Sequence, residues 1–185
     1  MSEDKKPDFV RSDFKLDDFF SKMLESIGRI TDDQIAELLT KSHKTISVAE
    51  SVTGGLLAGR LTNMSGSSNY FIGGIVSYHN RIKVAELMIP GALIVKDGPV
   101  SGSVACAMAE GIKKRFRTDL ALATTGCAGP LPLPPAPVGL VYIALASEKG
   151  CECKELNLMG TRAEIRDKSV QAALGLLWLY LGGEG

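Results

Sequence analysis

The sequence predicts an α/β fold: a three-layer α/β/α sandwich around a mixed, mostly parallel sheet. Three observations carry this expectation. Short β-branched or apolar runs alternate with helical stripes from Thr45 onward, the pattern of parallel strands joined by crossover helices. Toward the C-terminus two strand-like segments follow one another with no helix between them, which calls for one antiparallel element. The length, 185 residues, suits one domain with a full core.

Each element has its own signal. Residues 1–15 are charged, with Asp4, Asp8 and Asp13 among them, and read as a flexible arm; residues 16–185 read as a single domain. Between Asp18 and Ile27, Phe19, Phe20, Met23, Leu24 and Ile27 form a helical apolar stripe. Thr31-Asp32-Asp33-Gln34 has capping-box spacing and opens a helix with Ile35, Leu38 and Leu39 on one face. Thr45-Ile46-Ser47-Val48 reads as a buried strand, Leu56 starts a helix running to about Asn63, and Ser65-Gly66-Ser67-Ser68 is a loop. Tyr70 to Tyr78 is a second strand, in which Gly73-Gly74 weakens the pairing or marks a bulge. Asn80 caps a short helix carrying Val84, Leu87 and Met88, which stops before Pro90. Ser101 begins an Ala-rich helix that ends near Arg117, where the basic run Lys113–Arg117 complements the helix dipole. Asp119 to Thr125 is an apolar strand, and residues 126–137 form a loop rich in Gly and Pro. Val138 to Ser147 and Cys153 to Leu158 are further strands. Glu164 to Leu181 is the closing helix, with Ile165, Ala172, Ala173, Leu176, Leu177 and Tyr180 on its inner face.

Bulk properties narrow the function. Lys+Arg and Asp+Glu both number 21, so there is no general pull toward nucleic acid or an anionic membrane. No apolar run is long enough to span a bilayer, and the acidic N-terminus lacks the apolar centre of a secretory signal. The expected location is the cytoplasm. The four cysteines, Cys106, Cys127, Cys151 and Cys153, match no zinc spacing, and only His43 and His79 could assist them. No metal or other cofactor is expected. Cys151-x-Cys153 on a strand would place two thiols on one face.

The chemistry concentrates at Ala49-Glu50-Ser51-Val52-Thr53-Gly54-Gly55. A serine at a strand-to-helix turn lies near the positive end of the helix. That setting stabilises an alkoxide or the oxyanion of acyl transfer, and the glycines let N–H groups approach a ligand. The same residues also make a plain small-residue turn with a Ser or Thr cap. Tyr78-His79-Asn80-Arg81-Ile82-Lys83 supplies what a serine lacks, a base. A lysine whose pKa is depressed by burial can take a proton, and a tyrosine can relay it. Otherwise Lys83 is a solvated helix lysine and Tyr78 an aromatic at the core edge. Ser51, Tyr78 and Gly126 all fall at expected strand ends, where α/β sheets bind ligands.

Taken as an ordered set, several blocks resemble the CinA C-terminal domain family, which includes the nicotinamide-nucleotide amidohydrolases. They are Ala49-Glu50-Ser51-x-Thr53-Gly54-Gly55, Gly73-Gly74-Ile75-Val76-Ser77-Tyr78-x-Asn80-x-x-Lys83, Val100-Ser101, Thr125-Gly126-x-Ala128-Gly129-Pro130 and Pro137-Val138-Gly139. The resemblance extends from about Ser26 to Leu181. It implies the α/β/α fold and hydrolysis of the carboxamide of nicotinamide mononucleotide, giving nicotinate mononucleotide and ammonia. It implies a homo-oligomer and a small-molecule nucleotide substrate. Ser51 matches the nucleophile, and Tyr78 and Lys83 its activating partners. Thr53, Gly54 and Gly55 match the turn that holds the oxyanion or substrate, and Asn80 falls in the second block. Gly126, Ala128 and Gly129 match a loop lining the substrate pocket, and Arg162 an arginine near the phosphate.

One departure is large. Family members usually carry a Gly-rich, charged segment ending in Lys-Pro-Val-Gly. Here the stretch is Leu131-Pro132-Leu133-Pro134-Pro135-Ala136-Pro137-Val138-Gly139, stiffer and poorer in N–H donors. Val52 and Cys127 replace the more usual Cys and Ile, and His79 replaces a small polar residue. The rebuilt loop leaves two alternatives beside the amidohydrolase: an amidase for another substrate, or a catalytically weak binding module that meets a partner through the loop.

Overall fold

A computed structural model of the chain describes residues 31–182. The expected arm at residues 1–15 and the expected helix between Asp18 and Ile27 lie outside the described residues. Thr31 caps helix α1 (Asp32–Ser42) through a reciprocal capping box with Gln34, and Ile35 and Leu39 face the core. The chain continues through β1 (Ile46–Glu50), α2 (Leu56–Leu61), a 3₁₀ turn (Ser67–Asn69), β2 (Phe71–Val76), α3 (Asn80–Leu87), α4 (Gly91–Asp97), α5 (Gly102–Phe116), β3 (Leu120–Gly126), β4 (Leu140–Ser147), β5 (Gly150–Asn157) and α6 (Arg162–Tyr180).

The sheet order is β2-β1-β3-β4-β5. β1 is parallel to β2 and β3, while β4 is antiparallel to β3 and β5. Strand β4 alone therefore runs against the other four, because Glu148-Lys149 closes a hairpin between Ser147 and Gly150 too short for a crossover. The sheet is mixed and mostly parallel, as the spacing of the last two strands predicts. At Gly73 the β1–β2 register slips, so the glycine pair does mark a bulge. A Cβ at Gly74 would lie 2.5 Å from Val48 Cγ2, which excludes any larger residue at this close approach.

Alternation along the strands makes two different faces. Ile46, Val48, Leu120, Leu122, Val141, Ile143 and Leu145 pack beneath α1, α2 and α6. On the opposite face Ala49, Ala121, Ala123, Ala144 and Ala146 lie under α5, with Leu87, Ile89 and Ile94 from the α3–α4 region. Large side chains on one face and alanines on the other let α5 settle close to the strands. The result is the expected three layers.

Local differences from the sequence reading have physical causes. Helix α3 is capped by His79, whose side chain accepts from the Arg81 N–H; Asn80 is its first helical residue. Its buried positions are Lys83 and Leu87, leaving Val84 and Met88 exposed. Helix α4 has no counterpart in the sequence reading, since Ile94 is its only buried residue and it offers no apolar stripe. Strand β5 begins at Gly150 rather than Cys153 because the hairpin extends pairing back to its turn. Helix α6 begins at Arg162, two residues before the expected start, with Thr161 and Glu164 forming the capping box. Tyr180 is half-buried rather than fully on the inner face. Among the described residues no helix is long and apolar enough to cross a membrane.

Because β1, β2, β3 and β5 point the same way, their carboxyl ends share one rim. That rim carries Ser51, Ser77, Tyr78, the loop after Gly126 and the N-terminus of α6.

Candidate active site

Ser51 leaves β1 with its N–H still donating to the Thr124 carbonyl at 2.9 Å. The Ser77 N–H donates to the Glu50 carbonyl at 2.8 Å, so the ends of β1, β2 and β3 stay stitched together. The turn of α3 then folds Lys83 back beneath Ser51. Lys83 is 1% exposed. Its Nζ donates to Ser51 Oγ at 3.1 Å, to the Ser77 carbonyl at 2.7 Å and, more weakly, to the Tyr78 carbonyl at 3.4 Å. Burial lowers its pKa from the ordinary lysine value to about 8. A buried amine aimed at a serine hydroxyl, with a pKa near neutrality, is the arrangement that general-base activation needs.

Tyr78 takes a different position from Lys83. Its side chain is 59% exposed, and its hydroxyl accepts from Arg162 Nη2 at 3.0 Å. Among the described residues that hydroxyl bonds to neither Ser51 nor Lys83. Arg162 Nη1 donates to the Gly129 carbonyl at 2.6 Å. The guanidinium therefore spans the rim between Tyr78 and the loop after β3. Ala128 is buried, and Gly129 adopts a positive φ of 77° packed against Val138. Asn80 is exposed at the start of α3. Leu133 and Ala136 exchange N–H···O=C bonds of 3.0 and 2.7 Å that close the Pro-rich loop on itself, and Leu131 and Leu133 are exposed.

Two residues that the sequence reading did not single out brace the serine turn. Glu50 is completely buried. Its carboxylate accepts from Thr53 Oγ1 at 2.7 Å and from the N–H groups of Gly55, Leu57 and Ala58 at 2.8, 3.1 and 2.8 Å. Thr53 Oγ1 also lies 2.7 Å from Thr124 Oγ1. The N–H groups at the start of α2, expected to face a ligand, are thus engaged by the protein's own carboxylate. The signal was legible: an acid ending an otherwise apolar strand must find donors, and the following glycines provide them. From the other side Arg166 donates to the carbonyls of Val52 at 3.2 Å and Thr53 at 2.8 Å. Gly54 is in the left-handed region at φ 59°, and a Cβ there would come within 3.1 Å of the Arg166 guanidinium. Arg166 lies four residues after Arg162, so one face of α6 presents both to the rim. With the turn's carbonyls held outward, the N–H groups of Val52, Thr53 and Gly54 have no protein acceptor among the described residues.

Glu50→Gln tests the brace. The substitution keeps the side chain's size, replaces one acceptor oxygen with a donor and removes the charge from three N–H bonds. Hydrogen bonds to charged groups contribute about 1.5–3 kcal/mol each, so the loss expected in urea unfolding is at least about 1.5 kcal/mol. An unchanged midpoint would show that the carboxylate does not hold the turn.

Among the described residues no group of three or more His, Cys, Asp or Glu side chains is placed to hold a metal ion.

The family model described as "CinA C-terminal domain" matches residues 29–181. The CinA-like protein of Geotalea daltonii is 43% identical over 160 residues, covering 86% of this chain and 38% of that protein. The CinA-like protein of Desulfotalea psychrophila is 46% identical over 148 residues, covering 80% of this chain and 36% of that protein. The chain thus spans little more than a third of the length of these curated relatives. The crystal structure of the competence/damage inducible protein CihA from Agrobacterium tumefaciens is 35% identical with a TM-score of 0.76, covering 81% of this chain and 94% of that one. The competence damage-inducible protein A from Klebsiella pneumoniae superposes with a TM-score of 0.80 at 26% identity, covering 83% and 96%.

Proposed function

This chain belongs to the CinA C-terminal domain family, and on that premise we propose that it hydrolyses the carboxamide of nicotinamide mononucleotide to nicotinate mononucleotide and ammonia. The observation that supports this best is the buried Lys83 amine 3.1 Å from Ser51 Oγ. In its neutral form Lys83 takes the Ser51 proton as Oγ attacks the carboxamide carbon. The tetrahedral oxyanion is met by N–H groups of Val52, Thr53 and Gly54, the donors that the Glu50 and Arg166 contacts leave unpaired. The lysine ammonium then returns its proton to the departing amine, which leaves as ammonia. Water, activated by the same amine, adds to the Ser51 ester and releases the acid, restoring the serine hydroxyl.

The remaining residues take positioning parts in this proposal. Tyr78 lends its carbonyl to Lys83 and its hydroxyl to Arg162, so it supports the base through the backbone and the substrate rim through the side chain. Arg162 is the rim cation best placed to meet the nucleotide phosphate, for which a planar guanidinium fork is well suited. Gly126, Ala128 and Gly129 form the adjoining wall, and Asn80 stands at the open side.

The Pro-rich loop favours a second reading, a binding module, because it exposes Leu131 by 78% and Leu133 by 50%. The two readings separate on one comparison. We expect weak ammonia release from nicotinamide mononucleotide relative to a family member with the Gly-rich loop. Pro132, Pro134 and Pro135 have no N–H to offer a polar nucleotide, and the stiff loop closes poorly over substrate. Replacing residues 131–137 with a Gly-rich, Lys-containing segment should raise kcat/KM while leaving the Ser51–Lys83 pair untouched. Efficient turnover by the native chain would refute the loop argument. No turnover by either version would favour the binding module.

A further inference from the structure

A second group of reactive side chains lies on the alanine face, away from Ser51. Gly102, Cys106 and Glu110 recur at intervals of four along α5, so they form one row on that helix. Opposite them, Cys151 and Cys153 alternate on β5 and both pack against the cluster that contains Cys106. They pair with Ala146 and Ala144, which belong to the same cluster. The helix runs close to the strand at Gly102, where a Cβ would lie 3.4 Å from Cys153 Sγ. Cys153 sulfur therefore sits beneath the helical turn that ends at Cys106. The neighbouring Cys151 and Cys153 thiols lower the pKa of Cys106 below the ordinary thiol range. All the cysteines are free thiols.

The row opens to solvent at its far end. A cleft of about 420 Å³ is lined by Glu110, Lys113, Arg117, Ala146 and Gly150, among others. Glu110 is one helical turn beyond Cys106, and Ala146 is the cross-strand partner of Cys151. The cleft stops short of the thiols themselves, but Cys151 and Cys153 are only half-buried, and the lining residues Glu110 and Ala146 adjoin Cys106 and Cys151. Cys151 and Cys153 are poor partners for each other, because residues two apart on a strand have Cα atoms about 6.6–6.8 Å apart, at the outer limit for a disulfide. Every favourable link includes Cys106.

We propose that Cys106, Cys151 and Cys153 form an oxidation site in which a peroxide links Cys106 to Cys151 or Cys153, tying α5 to the edge strand β5. The Cys106 thiolate attacks one peroxide oxygen. An S–O bond forms, the O–O bond breaks, and the leaving oxygen takes a proton to become water. A β5 thiol, which burial beside Cys106 keeps protonated, then attacks the Cys106 sulfenic sulfur: the S–S bond forms, the S–O bond breaks, and the thiol proton joins the leaving hydroxide as a second water. Overall two thiols are oxidised and one hydrogen peroxide is reduced to two waters. The proposal is independent of the reaction at Ser51.

The test treats the reduced, folded chain with hydrogen peroxide, alkylates the remaining thiols and maps peptides without reductant. The expected result is loss of two of the four thiols, a peptide carrying Cys106 joined to the one carrying Cys151 and Cys153, and Cys127 still alkylated. Recovery of Cys106 as a free alkylated thiol, a link to Cys127 or to another chain, or irreversible sulfonic acid as the sole product would overturn it. The double variant Cys151→Ser, Cys153→Ser changes only half-buried edge-strand positions and keeps Cys106. It should stop at a sulfenic acid that a cyclic 1,3-diketone captures, with no disulfide. A disulfide at Cys106 in that variant, or no capture, would equally refute the site.

Discussion

Ser51→Ala is expected to lower hydrolysis of nicotinamide mononucleotide by about 10⁴–10⁶-fold, the range seen when a member of a nucleophile–base unit is removed. The loss follows from chemistry, since the other serine at the rim, Ser77, is fully buried with its hydroxyl turned to the Glu50 carbonyl. Folding should be almost unaffected. The backbone bond from Ser51 to Thr124 survives the change, and among the described residues the only side-chain bond lost is the 3.1 Å contact from Lys83. Steady-state kinetics beside an unfolding curve would check both halves. Turnover near that of the parent chain would remove Ser51 from the mechanism. A large fall in stability would instead make the residue structural.

Lys83→Met should reduce kcat by about 10²–10⁴-fold with little change in KM, because general-base catalysis acts on the barrier and not on ground-state binding. Methionine keeps most of the volume of a side chain that is only 1% exposed. The pH profile gives an independent readout. The folded-state pKa is lowered to about 8 by burial, and the neutral amine is the base. Activity should therefore rise with pH, bend near pH 8 and level off above it. At pH 7 about one molecule in ten carries the neutral amine, far more than an ordinary lysine would provide. The variant should lose that limb. A KM effect alone, or an unchanged profile, would place Lys83 in substrate binding.

Much of this arrangement was legible because strand ends and turn residues are local properties. The alternation of strands and helices, the bulge at Gly73-Gly74 and the serine turn all follow from short-range rules. The proximity of Ser51 and Lys83 also follows, once β1 and β2 are known to be parallel neighbours. What was not legible depends on direction and on distant partners. Tyr78 and Lys83 are five residues apart, yet one turns out toward Arg162 and the other inward to Ser51. His79 takes the α3 cap that Asn80 was expected to fill. Glu50 looked like part of a motif; its role in satisfying the first N–H groups of α2 appears only when the turn is built. Arg166 reaches carbonyls more than a hundred residues away in the chain, a pairing no local pattern encodes. The thiol row was half visible: Cys151-x-Cys153 announced a shared face, but its juxtaposition with Cys106 depends on the packing of α5 across an alanine surface.

Measuring both products from nicotinamide mononucleotide with the full chain shows whether a lysine-activated serine cleaves the nucleotide carboxamide. Ammonia and nicotinate mononucleotide should appear in equal amounts, slowly with the native chain, faster after the loop replacement, and at background in Ser51→Ala. Absence of both products from the native and loop-replaced chains, or equal rates with and without the Ser51 hydroxyl, would contradict that mechanism.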